Sequence, residues 1–225
     1  LIFNRETEIK MKYIILGALL PFLSGCSVGH YEYSKETLDK ADMNFVGVPT
    51  VFGVGVSGSS IPITPEYSLT AAHVAKVMMY KVKAYHPTCD LALIYHKNNE
   101  KIFPTFENSS IGDPLTMYGY SFFTAMPVKS NGQLLTNTIV QSSWNKKECV
   151  LAVSNAGVVQ GMSGGPVYNE KDNRLTGVIE GYTHHVSKVK SPSQNVYKDV
   201  SLYIPYYRFS SWLEKETGIK GLVKS

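Results

Sequence analysis

The sequence predicts an all-β protein that closes with one helix at its carboxyl end. Short runs rich in Val, Ile, Leu and Tyr recur along the 225 residues, and glycine, proline or asparagine stands between them without intervening helical patterns. Many short strands at such spacing are typical of a β-sandwich or a β-barrel. The hydrophobic fraction of 44% is enough for a packed core and excludes a disordered or collagen-like chain.

The first half of the chain supplies the earlier strand candidates. Residues 45–56 alternate glycine with valine and phenylalanine, which is typical of two strands that bend at glycines. Residues 62–70 lead back into the core, and residues 74–85 and 91–95 are rich in Val, Met, Ile and Tyr. The polar stretch 97–108 predicts a connection between two halves of the protein.

The second half predicts more strands and then the closing helix. A polar loop is expected at residues 183–199. Phe209, Trp212 and Leu213 fall at i, i+3 and i+4, which predicts an amphipathic helix over residues 206–217 that ends at Gly218. The strands of this half are expected at residues 115–120, 134–142, 149–153, 167–168, 175–180 and 202–204.

The amino terminus carries the pattern of an export signal. Met11 and a lysine precede an apolar run over residues 13–20, which has the length of a signal-peptide core and is too short to span a bilayer. The tetrapeptide Leu-Ser-Gly-Cys that ends at Cys26 resembles the bacterial lipobox, whose cysteine is lipidated. An ordinary signal peptide with an incidental cysteine is the alternative. Met11 is a better start than Leu1.

These features predict the location of the protein and its amino-terminal organisation. We expect residues 1–25 to be an upstream extension and lipoprotein signal peptide, and residues 26–44 to be a polar tether. The protein would then be lipid-anchored and extracytoplasmic in the bacterial cell envelope. Ser27 is not the aspartate that resembles an inner-membrane retention signal. In a Gram-negative host we therefore expect the outer membrane, facing the periplasm.

Two further cysteines, Cys89 and Cys149, remain after the lipobox. An extracytoplasmic compartment permits a disulfide, but the distance between the two Cα atoms decides whether one forms. The sequence does not give that distance, and two buried thiols are the favoured expectation, with a bridge left open.

A glycine-rich turn at residues 160–167, Gln-Gly-Met-Ser-Gly-Gly-Pro-Val, places Ser163 between glycines. Such a turn can point the N–H groups of Gly161 and Ser163 at one spot beside the serine hydroxyl, where they would form an oxyanion hole. Side chains at Gly161 or Gly164 would crowd that approach, because the backbone conformation required there favours glycine.

A serine nucleophile needs a base, and the base needs an acid that orients it. His73 ends the segment Leu-Thr-Ala-Ala-His, and Asp90 begins the run Asp-Leu-Ala-Leu-Ile. The order His, Asp, Ser is that of the chymotrypsin arrangement. Only 17 residues separate His73 from Asp90, a length that one hairpin can bridge. Asp113 and Glu107 are the alternative acids.

Three segments, Thr-Ala-Ala-His, Asp-Leu-Ala-Leu-Ile and Gly-Met-Ser-Gly-Gly-Pro, resemble the signature segments of the trypsin-like serine peptidases, with the short bacterial members most similar. The resemblance implies two six-stranded antiparallel β-barrels of the chymotrypsin type with a carboxyl-terminal helix. Residues 45–108, with His73 and Asp90, would form the first barrel. Residues 109–225, with Ser163, would form the second barrel and the helix.

The resemblance also implies where a peptide would bind. The substrate would lie as an added strand along residues 180–182, which are Glu180, Gly181 and Tyr182, with Gln160 and Gly157 as further substrate-binding residues. Gly157 stands where specificity for Lys or Arg would need an acid, so a small or apolar side chain is the default expectation. Met162 replaces the aspartate that pairs with a newly cut amino terminus in digestive proteases, so activation by such a terminus is not expected.

The predicted function is that of an extracytoplasmic, lipid-anchored serine endopeptidase that uses a Ser-His-Asp triad and an acyl-enzyme. The main alternative is an inactive protease-fold lipoprotein that binds a partner at the cell envelope, and an esterase is a third hypothesis. A net charge of +4 is too modest to indicate nucleic-acid binding, and no cofactor is expected. His184 and His185, with His86 or His96, lack metal-ligand spacing, so no metal site is expected.

Overall fold

The computed structural model describes residues 27–47, 55–98, 102–142, 147–185 and 197–219. The predicted signal peptide and Cys26 lie outside these ranges. Within them, the chain forms two antiparallel sheets, one two-stranded ladder and a few short helices. Among those helices, none has the length and apolar character needed to span a membrane.

Residues 27–44 are folded onto the body of the protein, so the predicted polar tether is wrong for this stretch. Strand β1 (Ser27–Val28) pairs with residues 158–159, and β2 (Glu32–Tyr33) pairs with residues 128–129. Helix α1 (Thr37–Lys40) buries Thr37, whose hydroxyl donates to the Val128 carbonyl at 3.0 Å. Backbone pairing and five buried residues, three of them polar, hold this segment, and neither leaves a hydrophobic period in the sequence.

The N-terminal sheet has five strands in the described part of the chain. They are β3 (Asp42–Gly47), β4 (Gly55–Pro62), β5 (Tyr67–Thr70), β6 (Val82–Tyr85) and β7 (Ala92–Tyr95). Their order in the sheet is β3-β4-β5-β7-β6, with every pair antiparallel. The inward side chains of β5 and β7 are fully buried.

The strand expected at residues 74–85 is wrong in its first part. Helix α2 (Ala72–Val77) occupies this position, and β6 begins only at Val82. The alanines before and within the segment favour a helix, and Val74 and Ala75 bury one face of it. The run of apolar residues was therefore a short buried helix, which periodicity alone does not separate from a strand.

The C-terminal sheet is a closed six-stranded barrel to which β2 adds a seventh strand. Its strands are β8 (Pro114–Tyr120), β9 (Pro127–Ser142), β10 (Glu148–Ser154), β12 (Pro166–Asn169), β13 (Arg174–His185) and β14 (Lys198–Pro205), and β11 (Val158–Val159) is the partner of β1. Their order in the barrel is β10-β14-β13-β12-β8-β9. The long strand β9 closes the barrel, because its first half pairs with β8 and its second half pairs with β10.

Two of these strands extend beyond their predicted bounds. Strand β9 begins at Pro127, before the expected residue 134, and β13 continues to His185, inside the expected polar loop. The polar side chains of both extensions lie on paired backbone, where the sequence has little apolar alternation. The all-β fold class with a carboxyl-terminal helix is confirmed.

The closing helix follows the prediction closely. A 3₁₀ turn (Tyr206–Arg208) leads into α3 (Ser210–Thr217), which buries Leu213 completely. Gly218 ends the helix in the left-handed conformation with φ of 74°, and its N–H bonds to the Glu214 carbonyl at 2.8 Å.

A disulfide joins Cys89, in the loop before β7, to Cys149 on β10. The expectation of two buried thiols is therefore wrong. The two Cα atoms lie 5.0 Å apart although the residues are 60 positions apart in the sequence. The bridge connects the N-terminal sheet to the C-terminal barrel inside a single hydrophobic core that includes residues of both, such as Leu91 and Leu151.

Candidate active site

His73, on α2, and Asp90, in the loop before β7, form a tightly bonded pair. Asp90 is buried, and one carboxylate oxygen accepts the backbone N–H of His73 at 2.9 Å. The other carboxylate oxygen bonds to Nδ1 of the imidazole, which leaves Nε2 for a reacting group. Burial lowers the pKa of His73, but the hydrogen bond and charge of Asp90, together with the charge of Glu180, outweigh burial and raise it.

A neutral histidine fixes the loop that carries Asp90. Nδ1 of His86 accepts the Cys89 N–H at 2.9 Å, while its Nε2 bonds to the Arg208 carbonyl at 3.2 Å. This arrangement needs the tautomer protonated at Nε2, and burial lowers the pKa of His86 accordingly. The Ala72 N–H also donates to the Asp90 carbonyl at 3.2 Å. These hydrogen bonds therefore fix the end of the short connection that carries Asp90.

The alternative acids are engaged elsewhere. Asp113 bonds to the Lys171 ammonium, which is the main reason that its pKa is lowered. Glu107 pairs with Arg174 at 3.1 Å. Neither of these carboxylates is hydrogen-bonded to His73 in the described structure, whereas Asp90 bonds to it twice.

The glycines around Ser163 adopt the conformations that the sequence predicts. Gly161 has φ of 101° and Gly164 has φ of 86°, a region that other residues rarely enter. A Cβ atom on Gly164 would lie 2.8 Å from the Ala71 nitrogen. The turn therefore packs directly on the chain two residues before His73, and a side chain at Gly164 has no room.

The peptide before Gly161 is oriented by a neighbouring loop. The Phe122 N–H donates to the Gln160 carbonyl at 2.7 Å. Because a trans peptide points its C=O and N–H in opposite directions, the Gly161 N–H points away from Phe122.

The peptide before Ser163 is also held by a hydrogen bond to its carbonyl. The Gly165 N–H donates to the Met162 carbonyl at 2.9 Å, so the Ser163 N–H points the other way. Among the described residues, the backbone bonds of this turn use the N–H groups of Met162, Gly164 and Gly165, and none uses those of Gly161 or Ser163. The two N–H groups predicted to form an oxyanion hole are thus the two left uncommitted.

Ser163 is half-buried, and its carbonyl accepts the Ser59 N–H at 2.8 Å. No hydrogen bond joins its hydroxyl to His73 among the described side chains. A long nucleophile–base contact is common in proteases without substrate and shortens in the substrate complex. The turn leads into β12 of the C-terminal barrel, and the His73–Asp90 pair belongs to the N-terminal half of the chain, as the predicted triad requires.

The predicted substrate segment runs alongside the turn. Ile179 on β13 donates its N–H to the Gly165 carbonyl and accepts the Gly164 N–H, both at 2.8 Å. Two residues further on, a Cβ atom on Gly181 would meet nothing within 4 Å, so its face is open. Gln160 is exposed at the other side of the turn.

Gly157 and Tyr182, unlike Gly181, are in contact with other parts of the protein. Gly157 is buried, and a Cβ atom there would lie 2.7 Å from the His30 nitrogen. The position where specificity for Lys or Arg would need an acid is thus covered by the amino-terminal segment. Tyr182 is partly buried against the core of the C-terminal barrel.

Glu180 lies at a bulge of β13, where the pairing with β14 shifts between Ile179 and Gly181. One carboxylate oxygen is buried without a hydrogen-bond partner among the described residues, although part of the residue reaches the surface. Burial, and then the charge of Asp90, raise the pKa of Glu180 to about 7, against the opposing effect of His73. The carboxyl group of Glu180 is therefore close enough to the acid and the base of the site to interact with their charges.

The histidines outside the triad have other partners. His184 bonds to Asp199 at 2.7 Å, and His96 contacts the Ser68 hydroxyl at 3.3 Å. Within the described ranges, no three His, Cys, Asp or Glu side chains converge as metal ligands. The side chain of His185 lies outside the described residues.

Sequence reasoning missed two residues that hold the site, Ser59 and His86. Ser59 is one of several serines in a glycine-rich strand, and His86 looks like an ordinary surface histidine. Ser59 bonds to the Gly161 carbonyl and His86 to the Arg208 carbonyl, and both partners are about 100 or more positions away in the sequence. Such bonds leave no local pattern.

Solved structures of proteases share this fold. The chain is similar to the active form of the Rv3671c protease from M. tuberculosis, with a TM-score of 0.63, 16% identity, and coverage of 81% of this chain and 82% of that one. It is also similar to the MamO protease domain from Magnetospirillum magneticum, with a TM-score of 0.58, 17% identity, and coverage of 77% and 95%. A third is the HtrA-type protease AlgW with a tripeptide, with a TM-score of 0.58, 15% identity, and coverage of 79% and 60%. No family model and no curated protein matches the sequence.

Proposed function

We propose that this protein is a serine endopeptidase. The observation that carries the proposal is the nucleophile turn, in which no backbone bond of the described residues uses the N–H groups of Gly161 or Ser163. Two free donors beside a serine, together with a bonded His–Asp pair from the N-terminal half of the chain, are the parts of an acyl-transfer site.

The mechanism follows from the positions of these groups. Nε2 of His73 takes the proton of the Ser163 hydroxyl as its oxygen attacks a peptide carbonyl. Asp90 holds the imidazole through Nδ1 and stabilises the imidazolium that forms. The developing oxyanion accepts the N–H groups of Gly161 and Ser163. His73 then gives its proton to the leaving amine and activates the water that hydrolyses the acyl-enzyme.

A peptide substrate fits the open edge beside the turn. Residues 180–182 run past Ser163, and the open face at Gly181 gives room for an extended main chain. The AlgW structure holds a tripeptide on the same fold, which supports a peptide for this chain as well.

We place the enzyme outside the cytoplasm, attached by a lipid at Cys26. The support is the lipobox-like sequence that ends at Cys26, and the Cys89–Cys149 disulfide, which is typical of oxidising compartments. Labelling of cells with a fatty-acid analogue should mark the wild type but not a Cys26→Ala variant. An unlabelled wild type would contradict the anchor and leave the catalytic proposal unaffected.

The catalytic proposal is tested by digestion of a peptide mixture, read by mass spectrometry. The purified protein should produce new internal cleavages, and both Ser163→Ala and His73→Ala should abolish them. His96→Ala, which changes a histidine outside the site, is the matched control and should leave them intact. A wild type that is folded but cleaves neither peptides nor small esters would contradict the proposal and support the inactive binding protein.

A further inference from the structure

Ser59 lies on β4, at the contact between the N-terminal sheet and the nucleophile turn of the C-terminal barrel. It has no exposed surface. Its N–H donates to the Ser163 carbonyl at 2.8 Å, and its hydroxyl donates to the Gly161 carbonyl at 2.9 Å. Ser59, a residue of the N-terminal sheet, thus bonds to two carbonyls of the nucleophile turn in the C-terminal half.

The remaining polar groups of Ser59 are also engaged. Its hydroxyl oxygen accepts the Tyr120 N–H at 3.1 Å, which ties it to the end of β8. Its carbonyl accepts the Thr70 hydroxyl at 2.7 Å, three residues before His73. Ser59 is therefore bonded to the strand that leads to the base and to the turn that carries the nucleophile.

These bonds complete the support of the turn. The carbonyls of Gln160 and Met162 are held by backbone donors, and those of Gly161 and Ser163 are held by Ser59. The peptide between Gly161 and Met162 separates the two peptides that carry the oxyanion donors. Because each peptide is planar, the backbone dihedrals at Gly161 and Met162, on either side of this middle peptide, set how the two donor peptides are oriented relative to each other. A bond to the Gly161 carbonyl restricts these dihedrals.

We propose that Ser59 is a positioning residue of the oxyanion hole. Its hydroxyl keeps the N–H groups of Gly161 and Ser163 convergent before a substrate arrives. Ser59 does not touch the substrate, and it acts through the orientation of the turn. The inference rests on the proposed endopeptidase function and adds to it a residue for which neither the sequence motifs nor the comparisons give a role.

The chain offers a matched control in the next residue, Ser60. Ser60 is equally buried on the same strand, but its hydroxyl has no hydrogen-bond partner in the part of the chain that the structure describes. Ser59→Ala and Ser60→Ala therefore remove the same atom from neighbouring core positions. Only the first change releases a carbonyl of the turn, so the pair separates support of the oxyanion hole from general loss of packing.

Kinetics of the two variants give the first test. Direct removal of an oxyanion donor lowers kcat by about 100-fold or more, so loss of its support in Ser59→Ala should lower kcat about 10- to 100-fold. KM should stay within about twofold, because the groups that bind the ground state are unchanged. A peptide boronate, which mimics the tetrahedral intermediate, should bind more weakly by the same factor as kcat falls. Ser60→Ala should match the wild type.

Hydrogen exchange of residues 160–165, read by mass spectrometry, gives a second test that needs no activity. The Met162 and Gly164 N–H groups should exchange faster in Ser59→Ala than in Ser60→Ala or the wild type. Equal exchange in both variants, or equal kcat in both when the wild type is active, would overturn the role of Ser59. A wild type without any peptidase activity would contradict the proposed function, and the exchange comparison would still decide this inference.

Discussion

The Cys89–Cys149 disulfide gives the protein a large part of its expected stability. It closes a loop over residues 60 positions apart and joins the N-terminal sheet to the C-terminal barrel. In the chain-entropy account, a loop of this length restricts the unfolded state enough to stabilise the fold by about 4 kcal/mol at 25 °C. Reduction, or Cys149→Ala, should therefore lower the free energy of unfolding by about that amount. For a domain of this size the melting temperature should fall by roughly 8 to 16 °C.

Denaturant unfolding with and without reductant is the assay. The wild type should lose stability when reductant is added, whereas Cys149→Ala should unfold at the same denaturant concentration in both conditions. Thiol titration in denaturant without reductant should find one more free thiol in the variant than in the wild type. A wild type whose bridge is shown to be open by thiol titration, but whose unfolding midpoint does not move, would refute the reasoning.

Three further predictions concern the site. The pKa of Glu180, raised to about 7, means that the folded state binds this proton more tightly than the unfolded state. The contribution of this carboxyl group to stability is therefore full below pH 4.5, the ordinary pKa of Glu, and is lost as the pH rises through 7. The loss should total about 3 kcal/mol at pH 8 and be absent in Glu180→Gln, as measured by urea unfolding at several pH values. Because catalysis needs neutral His73, whose pKa is raised, kcat/KM should fall as the pH decreases. Asp90→Asn should move this acidic limb of the kcat/KM profile to lower pH, and it should lower kcat about 10⁴-fold. An acidic limb that does not move in Asp90→Asn would contradict the pairing of His73 with Asp90. Gly164→Ala should destabilise the protein by about 2 kcal/mol more than Gly112→Ala, because both glycines have positive φ but only Gly164 lacks space for a Cβ atom. Equal losses of unfolding free energy in the two variants would show that backbone strain alone matters.

Much of the fold could be predicted because strands and turns leave local patterns. The run before Tyr120 and the spacing of Phe209, Trp212 and Leu213 marked β8 and the closing helix correctly. The amino-terminal segment could not be predicted in this way. This segment is held by backbone pairing and by buried Thr37, and neither leaves a pattern in a polar sequence.

The parts of the site differ in the same respect. The glycines around Ser163 carry their conformational requirement in their residue type, so Gly161 and Gly164 were predicted and have positive φ. The disulfide, by contrast, depends on the approach of two distant chain segments, which no spacing in the sequence encodes. The support from Ser59 likewise exists only once two sheets meet.

The most direct test of the central claim is whether the Ser163 hydroxyl is activated. The purified protein should be treated with a fluorophosphonate probe, and the labelled residue should be identified by peptide mass spectrometry. We predict one adduct, on Ser163, that His73→Ala abolishes and Ser60→Ala leaves unchanged. A folded protein that takes up no probe, or takes it up equally without His73, would contradict the activated triad.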